Sequence, residues 1–421
     1  MLIRNMFSNK ILRSIKYMTA GILVLAVAAG FTGCAGSSAG SRIGSTDNTA
    51  STGFTKKSGD DVVLTRQEYY PEYDEEEIRK TVKSVQDKIT GETVSYIFIT
   101  DLHIDDSEDV TESGFNTLNA LVDVANNTDV DFVCVGGDLY NGMNAEENGK
   151  AHALATIQSI SDVLKNCNKP VFILHGNHDD NSFSAQKDWD LLYSSDYVIN
   201  RDEWYSVTMA NFSQYATDYQ QGYFYYDIPS KNVRVICLNM SDSDDTVVDG
   251  KQNEIGMYFY GYKDEQIDWL LNKAMTRDNC QYFIMDHDAF DYPEGYEPFS
   301  NRETLRNILS AAYQKQAYND GRFAKDFSSW NSELVLMNSG HLHLERHIAD
   351  EKTGGLVILN TDRCKLSRGY VWGNFGNEGY TVAADRTKGT VTEGLFNVVI
   401  SSPGKIDIVR FGAGEDSTFN Y

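Results

Sequence analysis

Cysteine is scarce in this chain, and no two cysteines are spaced as Cys-X-X-Cys. Zinc ribbons and disulfide-framework domains need closely spaced cysteines, so this absence argues against both classes. Cys134 and Cys237 lie within apolar runs and are interpreted as small buried hydrophobic side chains. A single disulfide among the cysteines that follow Cys34 is left open by the sequence.

Positive charge is also scarce, with 37 Lys and Arg residues against 61 Asp and Glu residues and a formal net charge of −24. Proteins that bind nucleic acids draw most of their affinity from Lys and Arg side chains on phosphates. The charge balance therefore predicts that duplex nucleic acid is not a partner, and it argues against a nuclease. It argues equally against docking on anionic lipid by charge. No protein partner can be inferred.

The apolar run Ala20–Phe31 follows a basic N-terminus and is too short to span a bilayer comfortably. This order predicts a cleaved signal peptide over residues 1–33 rather than a transmembrane helix. The signal ends in Phe31-Thr32-Gly33-Cys34, which resembles the lipobox of bacterial lipoproteins. The resemblance implies lipidation of Cys34 and an extracytoplasmic protein anchored to the cell membrane. An ordinary signal peptide with an incidental cysteine is the alternative.

Three segments are predicted along the chain: the signal, a flexible tether over residues 34–73 and a folded domain over residues 74–421. The first part of the tether is dominated by Ser, Gly, Thr and Ala without apolar periodicity, which is typical of a flexible linker. The domain begins with a charged helix predicted at Asp74–Ile89. Beyond it, apolar strand-like runs alternate with amphipathic helices, which predicts an α/β layered fold.

Six strand-like runs carry this alternation, and no internal repeat is visible. They are Tyr96–Thr100, Phe132–Val135, Val171–Leu174, Val233–Leu238, Tyr282–Met285 and Leu334–Met337. The tail contains three more, Leu356–Leu359, Leu395–Ile400 and Lys405–Phe411, with a turn at Ser402–Gly404. We expect the tail strands to extend a second, more antiparallel sheet.

Metal-capable side chains directly follow five of the strand-like runs. They are Asp101 and His103, Asp138, Asn177 and His178, His287, and His341 and His343. In open α/β sheets, ligands bind at the carboxyl ends of the strands. The chain has only eight histidines, and five of them lie in these loops. A lone histidine is more often structural, but this repeated placement predicts a metal site.

The order and spacing of these blocks resemble the calcineurin-like metallophosphoesterase family over roughly residues 94 to 345. The blocks are Asp101-Leu102-His103, Gly137-Asp138, Gly176-Asn177-His178-Asp179, His287 and Gly340-His341-Leu342-His343. The resemblance implies an α/β fold built as a four-layer α/β/β/α sandwich, in which helices flank two mixed sheets. It also implies a hydrolase of phosphoester bonds.

By this resemblance, two divalent or mixed-valence metal ions share Asp138 as a bridging carboxylate. One ion is also held by Asp101, His103 and His343, and the other by Asn177, His287 and His341. Imidazole with carboxylate suits Mn, Fe, Zn or Co, and a hydroxide between the ions would attack phosphorus in line. His178 would stabilise the transition state or protonate the leaving oxygen. Asp179 either orients the His178 ring or caps a helix.

Two features depart from the family pattern. Asp286 and Asp288 flank His287, where the family commonly has His-His or His-Ser followed by proline. They are interpreted either as partners that fix the imidazole or as solvent-facing loop residues. Asn141 stands where purple acid phosphatases carry a tyrosine ligand, which disfavours that subclass.

The absence of a basic cluster argues against a large polyanionic substrate and favours a small phosphoester. A diester is predicted over a monoester because no arginine clamp for a dianion is evident. A phosphomonoesterase or nucleotidase is one alternative, and a non-catalytic surface-binding lipoprotein is another. The aromatic-rich segment 180–222, with Met257–Tyr262 and Tyr292–Phe299, could form a wall for a nucleoside or sugar; structural packing is the competing explanation.

Overall fold

The computed structural model describes residues 62–64, 71–105, 107–289, 299–366 and 384–421. The predicted signal peptide, Cys34 and most of the predicted tether lie outside these residues, as do residues 290–298. Within the described ranges, no helix combines the length and the apolar character needed to cross a membrane. The five cysteines after Cys34 are all described, and all are free thiols.

A helix lies where the charged helix at Asp74–Ile89 is predicted, and further helices lie between the strands. The α-helices of the described part are α1 Glu72–Lys88, α2 Glu108–Asn127, α3 Gly149–Leu164, α4 Arg201–Val207, α5 Asp264–Asn272 and α6 Arg302–Tyr313. The start of α2 shows how local sequence fixes the beginning of a helix. Ser107 accepts a hydrogen bond from the backbone N–H of Val110, and acidic residues fill the first turn. Both features stabilise a helix N-terminus.

Strands in the described part number nineteen, many of them short. The first ten are β1 Val94–Ile99, β2 Phe132–Val135, β3 Val171–Ile173, β4 Thr217–Gln220, β5 Tyr223–Ile228, β6 Val233–Cys237, β7 Val247–Val248, β8 Lys251–Gln252, β9 Tyr260–Gly261 and β10 Gln281–Met285. The others are β11 Phe299–Ser300, β12 Ala317–Asn319, β13 Ala324–Asp326, β14 Glu333–Ser339, β15 Arg346–Asp350, β16 Leu356–Asn360, β17 Leu395–Ser402, β18 Lys405–Gly412 and β19 Ser417–Asn420.

Two mixed sheets form the centre of the molecule. The first has the order β19-β18-β17-β1-β2-β3, and the second has the order β15-β16-β14-β10-β6-β5-β4. In the first sheet the parallel strands β1, β2 and β3 form one end, with β3 at the edge and the antiparallel strands beyond β1. In the second sheet the parallel strands β6, β10, β14 and β16 are central, and antiparallel strands lie on both sides of them. The carboxyl ends of the parallel strands therefore gather at one edge of each sheet.

The burial of alternate residues shows how the layers stack. In β10, Phe283 and Met285 belong to a core that also contains residues of the first sheet, so they face the space between the sheets. Tyr282 and Ile284 belong to a second core, shared with the helices α5 and α6. Side chains of a strand alternate between its two faces, so the second sheet is covered on both sides. With α1, α2 and α3 on the first sheet, the result is the expected α/β/β/α sandwich.

The tail strands divide between the two sheets, which corrects the expectation that they extend one second sheet. β16 joins the second sheet beside β14, whereas β17 pairs antiparallel with β1 in the first. A parallel set that ends at β1 would leave an edge of unpaired backbone groups. The almost entirely buried β17 covers that edge, and β18 follows through the predicted turn at Ser402–Gly404.

Residues 62–64, which precede the predicted start of the domain at residue 74, pack against it. Val62 and Leu64 are buried in the first core. Between them, the Val63 backbone forms hydrogen bonds of 3.0 and 2.9 Å with the side-chain amide of Asn127. The predicted tether is therefore held against α2 at residues 62–64.

Candidate metal centre

Five loops bring the predicted ligands together. Asp101 and His103 follow β1, Asp138 follows β2, Asn177 and His178 follow β3, His287 follows β10, and His341 and His343 follow β14. The carboxylate and imidazole atoms of Asp101, His103, His343, His287 and His341 form two groups, each within 4.8 Å, and Asp138 belongs to both groups. Asn177 joins the second group through its Oδ1 atom, which lies 3.1 Å from His287 Nε2. We call these groups the first half-site (Asp101, His103, His343) and the second half-site (Asn177, His287, His341), with Asp138 shared.

In the first half-site, counted with the shared Asp138, two imidazoles and two carboxylates converge on one point. His103 Nε2 lies 3.0 Å from His343 Nε2 and 3.5 Å from Asp138 Oδ2. Asp101 Oδ1 is buried and no hydrogen bond satisfies it, although His343 Nε2 is only 3.1 Å away. Burial lowers the pKa of His103 to about 3, so its ring is neutral, as a metal ligand must be.

The second half-site is arranged around His287, which is fully buried. Its Nε2 atom lies 3.3 Å from Asp138 Oδ2 and 3.1 Å from Asn177 Oδ1, while its Nδ1 pairs with the carbonyl of Gly136 at 2.7 Å. The carbonyl contact directs Nε2 towards the half-site. Burial alone would lower the pKa of His287, but the carboxylates of Asp138 and Asp101 raise it to about 10.

The residues of both half-sites fit metal ions. Converging carboxylate and imidazole groups, with an unsatisfied buried oxygen on Asp101, form a donor set that suits Mn, Fe, Zn or Co. The raised pKa of His287 and the lowered pKa of Asp138 place a proton on the imidazole beside an ionised carboxylate, and a cation would replace that proton. The structure brings the side chains expected in each half-site close together, and their assignment as ligands stays a prediction.

Strained backbone supports this geometry. The φ angles of Asp101, His103, Asp138, His341 and His343 lie between 44° and 65°. Non-glycine residues in the left-handed region cost on the order of 1 kcal/mol each and persist where the surroundings impose them. Such strain concentrates at functional sites, and here it falls on most of the candidate ligands.

Two glycines allow the ligand loops to approach each other. A Cβ atom on Gly176 would lie 2.2 Å from Asp138 Oδ1, and one on Gly340 would lie 2.5 Å from Asp101 Oδ2. Both distances are well below van der Waals contact. A side chain at either position would displace a candidate ligand.

Asp179 has a role that neither sequence alternative predicts. Its carboxylate accepts hydrogen bonds from the backbone N–H groups of Gly176, Asp138, Leu139 and Tyr140. It therefore ties the loop after β3 to the loop after β2 and supports the shared ligand. It neither orients the His178 ring nor caps a helix.

His178 is held beside the first half-site by other groups. Its Nδ1 pairs with the carbonyl of Asn141 at 2.7 Å, and its ring stacks on Phe183 with 4.0 Å between the centroids. Its ring also meets the His103 ring edge-to-face at 4.6 Å. Burial lowers the pKa of His178, which leaves a neutral ring with Nε2 directed away from the Asn141 carbonyl.

The acids beside His287 are buried, so the solvent-facing interpretation is wrong. Asp286 accepts hydrogen bonds from the Tyr262 hydroxyl at 2.7 Å and from the His287 backbone at 2.8 Å, and it does not fix the imidazole. Burial raises the pKa of Asp286 to about 7 and that of Asp288 to about 6, the latter opposed by Arg302.

The aromatic segment 180–222 mostly packs within the protein. Trp204 is buried in the first core beside His175, and Tyr205 packs on Tyr219. Phe183 is the member that meets the centre, through His178. From the Met257–Tyr262 run, the Tyr260 hydroxyl accepts a hydrogen bond from Asn177 Nδ2 at 3.3 Å.

Lys365 is a neighbour of the site that sequence reasoning missed. Its ammonium donates to Asn141 Oδ1 at 3.3 Å and lies 3.9 Å from Asp105 Oδ2. It follows β16, beyond the segment that resembles the family, and no motif surrounds it. Only the fold brings it to the loops after β1 and β2.

Two mixed sheets with an aspartate–histidine centre at their edges define the architecture of metallophosphoesterases. A family model for calcineurin-like phosphoesterases matches residues 94–343, and the chain belongs to this family. No curated protein matches the sequence.

Solved structures resemble the chain only distantly. A dimetal phosphatase from Danio rerio is 15% identical, with 78% of this chain and 99% of that chain covered and a TM-score of 0.49. GAP50, the anchor in the inner membrane complex of Plasmodium, is 11% identical, with 78% and 88% covered and a TM-score of 0.36. Vacuolar Protein Sorting 29 from Cryptosporidium parvum is 11% identical, with 78% and 99% covered and a TM-score of 0.28. Likeness at this level bears on neither substrate nor partners.

Proposed function

We propose that this metallophosphoesterase hydrolyses small phosphodiesters. The observation that carries the proposal is the pair of half-sites that share Asp138, with the neutral ring of His178 beside them. A binding scaffold without catalysis would have no need for two cation sites and an adjacent proton-transfer group.

The protein's own residues account for binding and proton transfer. Asp101, Asp138, Asn177 and the histidines of the two half-sites would hold two ions, which when bound activate water and neutralise charge on the phosphoryl oxygens. The Asn141 carbonyl accepts from Nδ1–H and fixes the His178 ring, so Nε2 is the atom that faces the substrate, and it must take up a proton before it can donate. His178 then stabilises the developing charge or protonates the leaving oxygen.

The charges around the centre favour a diester. Arg363 is fully buried and bonds to the His343 carbonyl and to Asp362, so its guanidinium is directed at the protein. A dianionic monoester is commonly held by a bidentate arginine, and none is placed for that purpose among the described residues.

Parallel assays with two substrates test the proposal. The chain is stripped of metal, reloaded with Mn²⁺ and assayed on bis-p-nitrophenyl phosphate and p-nitrophenyl phosphate. We expect metal-dependent turnover with the diester faster. His178→Asn should lower kcat by about 10²- to 10⁴-fold while two ions remain bound. Faster monoester turnover would favour a phosphomonoesterase or nucleotidase, and no turnover with any divalent metal would favour the binding scaffold.

We further propose that the protein acts outside the cytoplasm, held at the membrane by a lipid on Cys34. The signal-like N-terminus and the Phe31-Thr32-Gly33-Cys34 sequence support this proposal. Labelling cells with a fatty-acid analogue should mark the wild-type protein and leave Cys34→Ser unmarked. Equal labelling of both, or of neither, would contradict it.

A further inference from the structure

The segment after β16 runs directly along the metal loops. The backbone N–H of Cys364 donates to the Thr100 carbonyl at 2.8 Å, and that of Lys365 donates to the Asp101 carbonyl at 3.0 Å. The Lys365 backbone is thus fixed against a ligand of the first half-site. Its side chain starts from a defined point beside the centre.

The ammonium of Lys365 and the ring of His178 are held by the same residue. Asn141 accepts from His178 Nδ1 through its carbonyl at 2.7 Å and from Lys365 Nζ through its side-chain oxygen at 3.3 Å. Asn141 therefore places a cation and a proton-transfer ring on the same side of the centre. From the sequence, Asn141 indicates only that the tyrosine ligand of purple acid phosphatases is missing.

The contacts of Lys365 within the protein are weak for a lysine that is mostly buried. Its side chain is 17% exposed, one partner is a neutral amide at 3.3 Å, and the Asp105 carboxylate lies 3.9 Å away. An ammonium group has three donors. Burial lowers its pKa, while Asp105 and Asp138 oppose that shift. A cation with spare donors beside a phosphoesterase centre is suited to an anionic ligand.

We infer that Lys365 is a substrate-binding residue whose ammonium donates to a non-bridging phosphoryl oxygen on the His178 side of the centre. The inference rests on the proposed function, because it assigns a residue to the same site. The competing explanation is that Lys365 only ties the loops that carry Asp105 and Asn141. If Lys365 binds substrate, removing its charge should weaken the binding of an anion; if it only ties the loops, anion binding should not change.

Binding of inorganic phosphate to the full chain loaded with Mn²⁺, followed by calorimetry, tests this role without turnover. Lys365→Gln removes the charge and keeps a donor, whereas Lys365→Arg keeps the charge. The control is Lys405→Met, since Lys405 pairs with Asp407 in β18 at the other end of the first sheet. We expect phosphate affinity to fall about tenfold in Lys365→Gln, to fall less in Lys365→Arg and to stay unchanged in Lys405→Met.

Metal content and turnover separate the outcomes. Two ions bound in every variant, with the loss of phosphate affinity confined to Lys365→Gln, would support the inference. Phosphate affinity equal to wild type in Lys365→Gln would overturn it, and so would a loss explained by lost metal. If the wild type binds phosphate through Lys365 but hydrolyses no ester, the proposed function fails, and Lys365 is an anion-binding residue without a role in substrate binding. If esters are hydrolysed and Lys365→Gln binds phosphate normally, the inference alone fails.

Discussion

The two half-sites are constructed in different ways although they share Asp138. All three residues of the first half-site, Asp101, His103 and His343, have left-handed backbone conformations, whereas in the second only His341 does. In the second, hydrogen bonds position the side chains of His287 and Asn177 on ordinary backbone. The first half-site also has two carboxylates, and the second has only the shared one.

This difference bears on how firmly each ion is held. A second carboxylate adds direct attraction for a divalent cation in a buried site, where charges are poorly screened. A strained backbone keeps the first ligands in place before any ion arrives, so binding costs less ordering. We therefore expect the first half-site to bind its ion more tightly than the second.

The largest effect should follow from removing what the half-sites share. Asp138→Asn keeps the size of the side chain and removes the bridging charge. We expect the rate of diester hydrolysis to fall by about 10³-fold or more, because the binding of both ions is weakened together. Elemental analysis should find fewer than two ions per chain. A variant that keeps two ions and wild-type turnover would contradict the shared role of Asp138.

Separate ligand substitutions would test the comparison itself. We expect His341→Asn to retain one ion, and His343→Asn to bind metal more weakly in the first half-site. From the wild type, a chelator should remove the ion of the second half-site first. The difference in affinity between the two ions should be roughly tenfold or more. Metal content along a chelator titration is the measurement. A single step that releases both ions together would show that the half-sites are equivalent.

The clustering of the candidate ligands could be predicted because each member follows an apolar strand in sequence, whereas their division between two ions came from the family resemblance. Apolar runs located the strands that precede Asp101, Asp138 and His287, and the parallel arrangement then placed their ends together. The layered fold followed from the same alternation. Both kinds of signal are local in the sequence.

Contacts between distant segments could not be predicted in this way. Lys365 reaches the site because β16 lies beside β14, and Asp179 accepts from N–H groups of another loop. No spacing in the sequence encodes either contact. The division of the tail strands was missed for the same reason: apolar patterning predicts a strand, but not which free edge it covers.

A substitution at Asp179 would show how far the support of Asp138 extends to both half-sites. Asp179→Asn places an amide N–H₂ where one carboxylate oxygen accepts backbone N–H groups. We expect a loss of about 2–3 kcal/mol in unfolding free energy and about 10- to 100-fold weaker metal binding in both half-sites. Urea unfolding and metal titration are the measurements.

The control for Asp179→Asn is Asp162→Asn, at a carboxylate that is 58% exposed beside Lys165. That variant should change the unfolding free energy by less than about 1 kcal/mol. Weakening of only one ion in Asp179→Asn would mean that Asp179 supports one half-site and not the shared ligand.

The smallest change in stability should come from Asp74, a buried carboxylate that belongs to neither half-site. Asp74 in α1 is 3% exposed, and burial, with the charges of Glu393 and Glu77, raises its pKa from 3.8 to about 7. The folded chain keeps this proton between about pH 4 and 7 while the unfolded chain loses it, so stability falls as pH rises through that window. Asp74→Asn should therefore raise the unfolding free energy by on the order of 1 kcal/mol at pH 8 and change it little at pH 4. Urea unfolding at the two pH values is the measurement; an equal gain at both would mean that Asp74 is not protonated in the folded protein. The half-sites differ from Asp74 because their carboxylates are ionised and meet imidazoles, which is the arrangement that a metal ion requires.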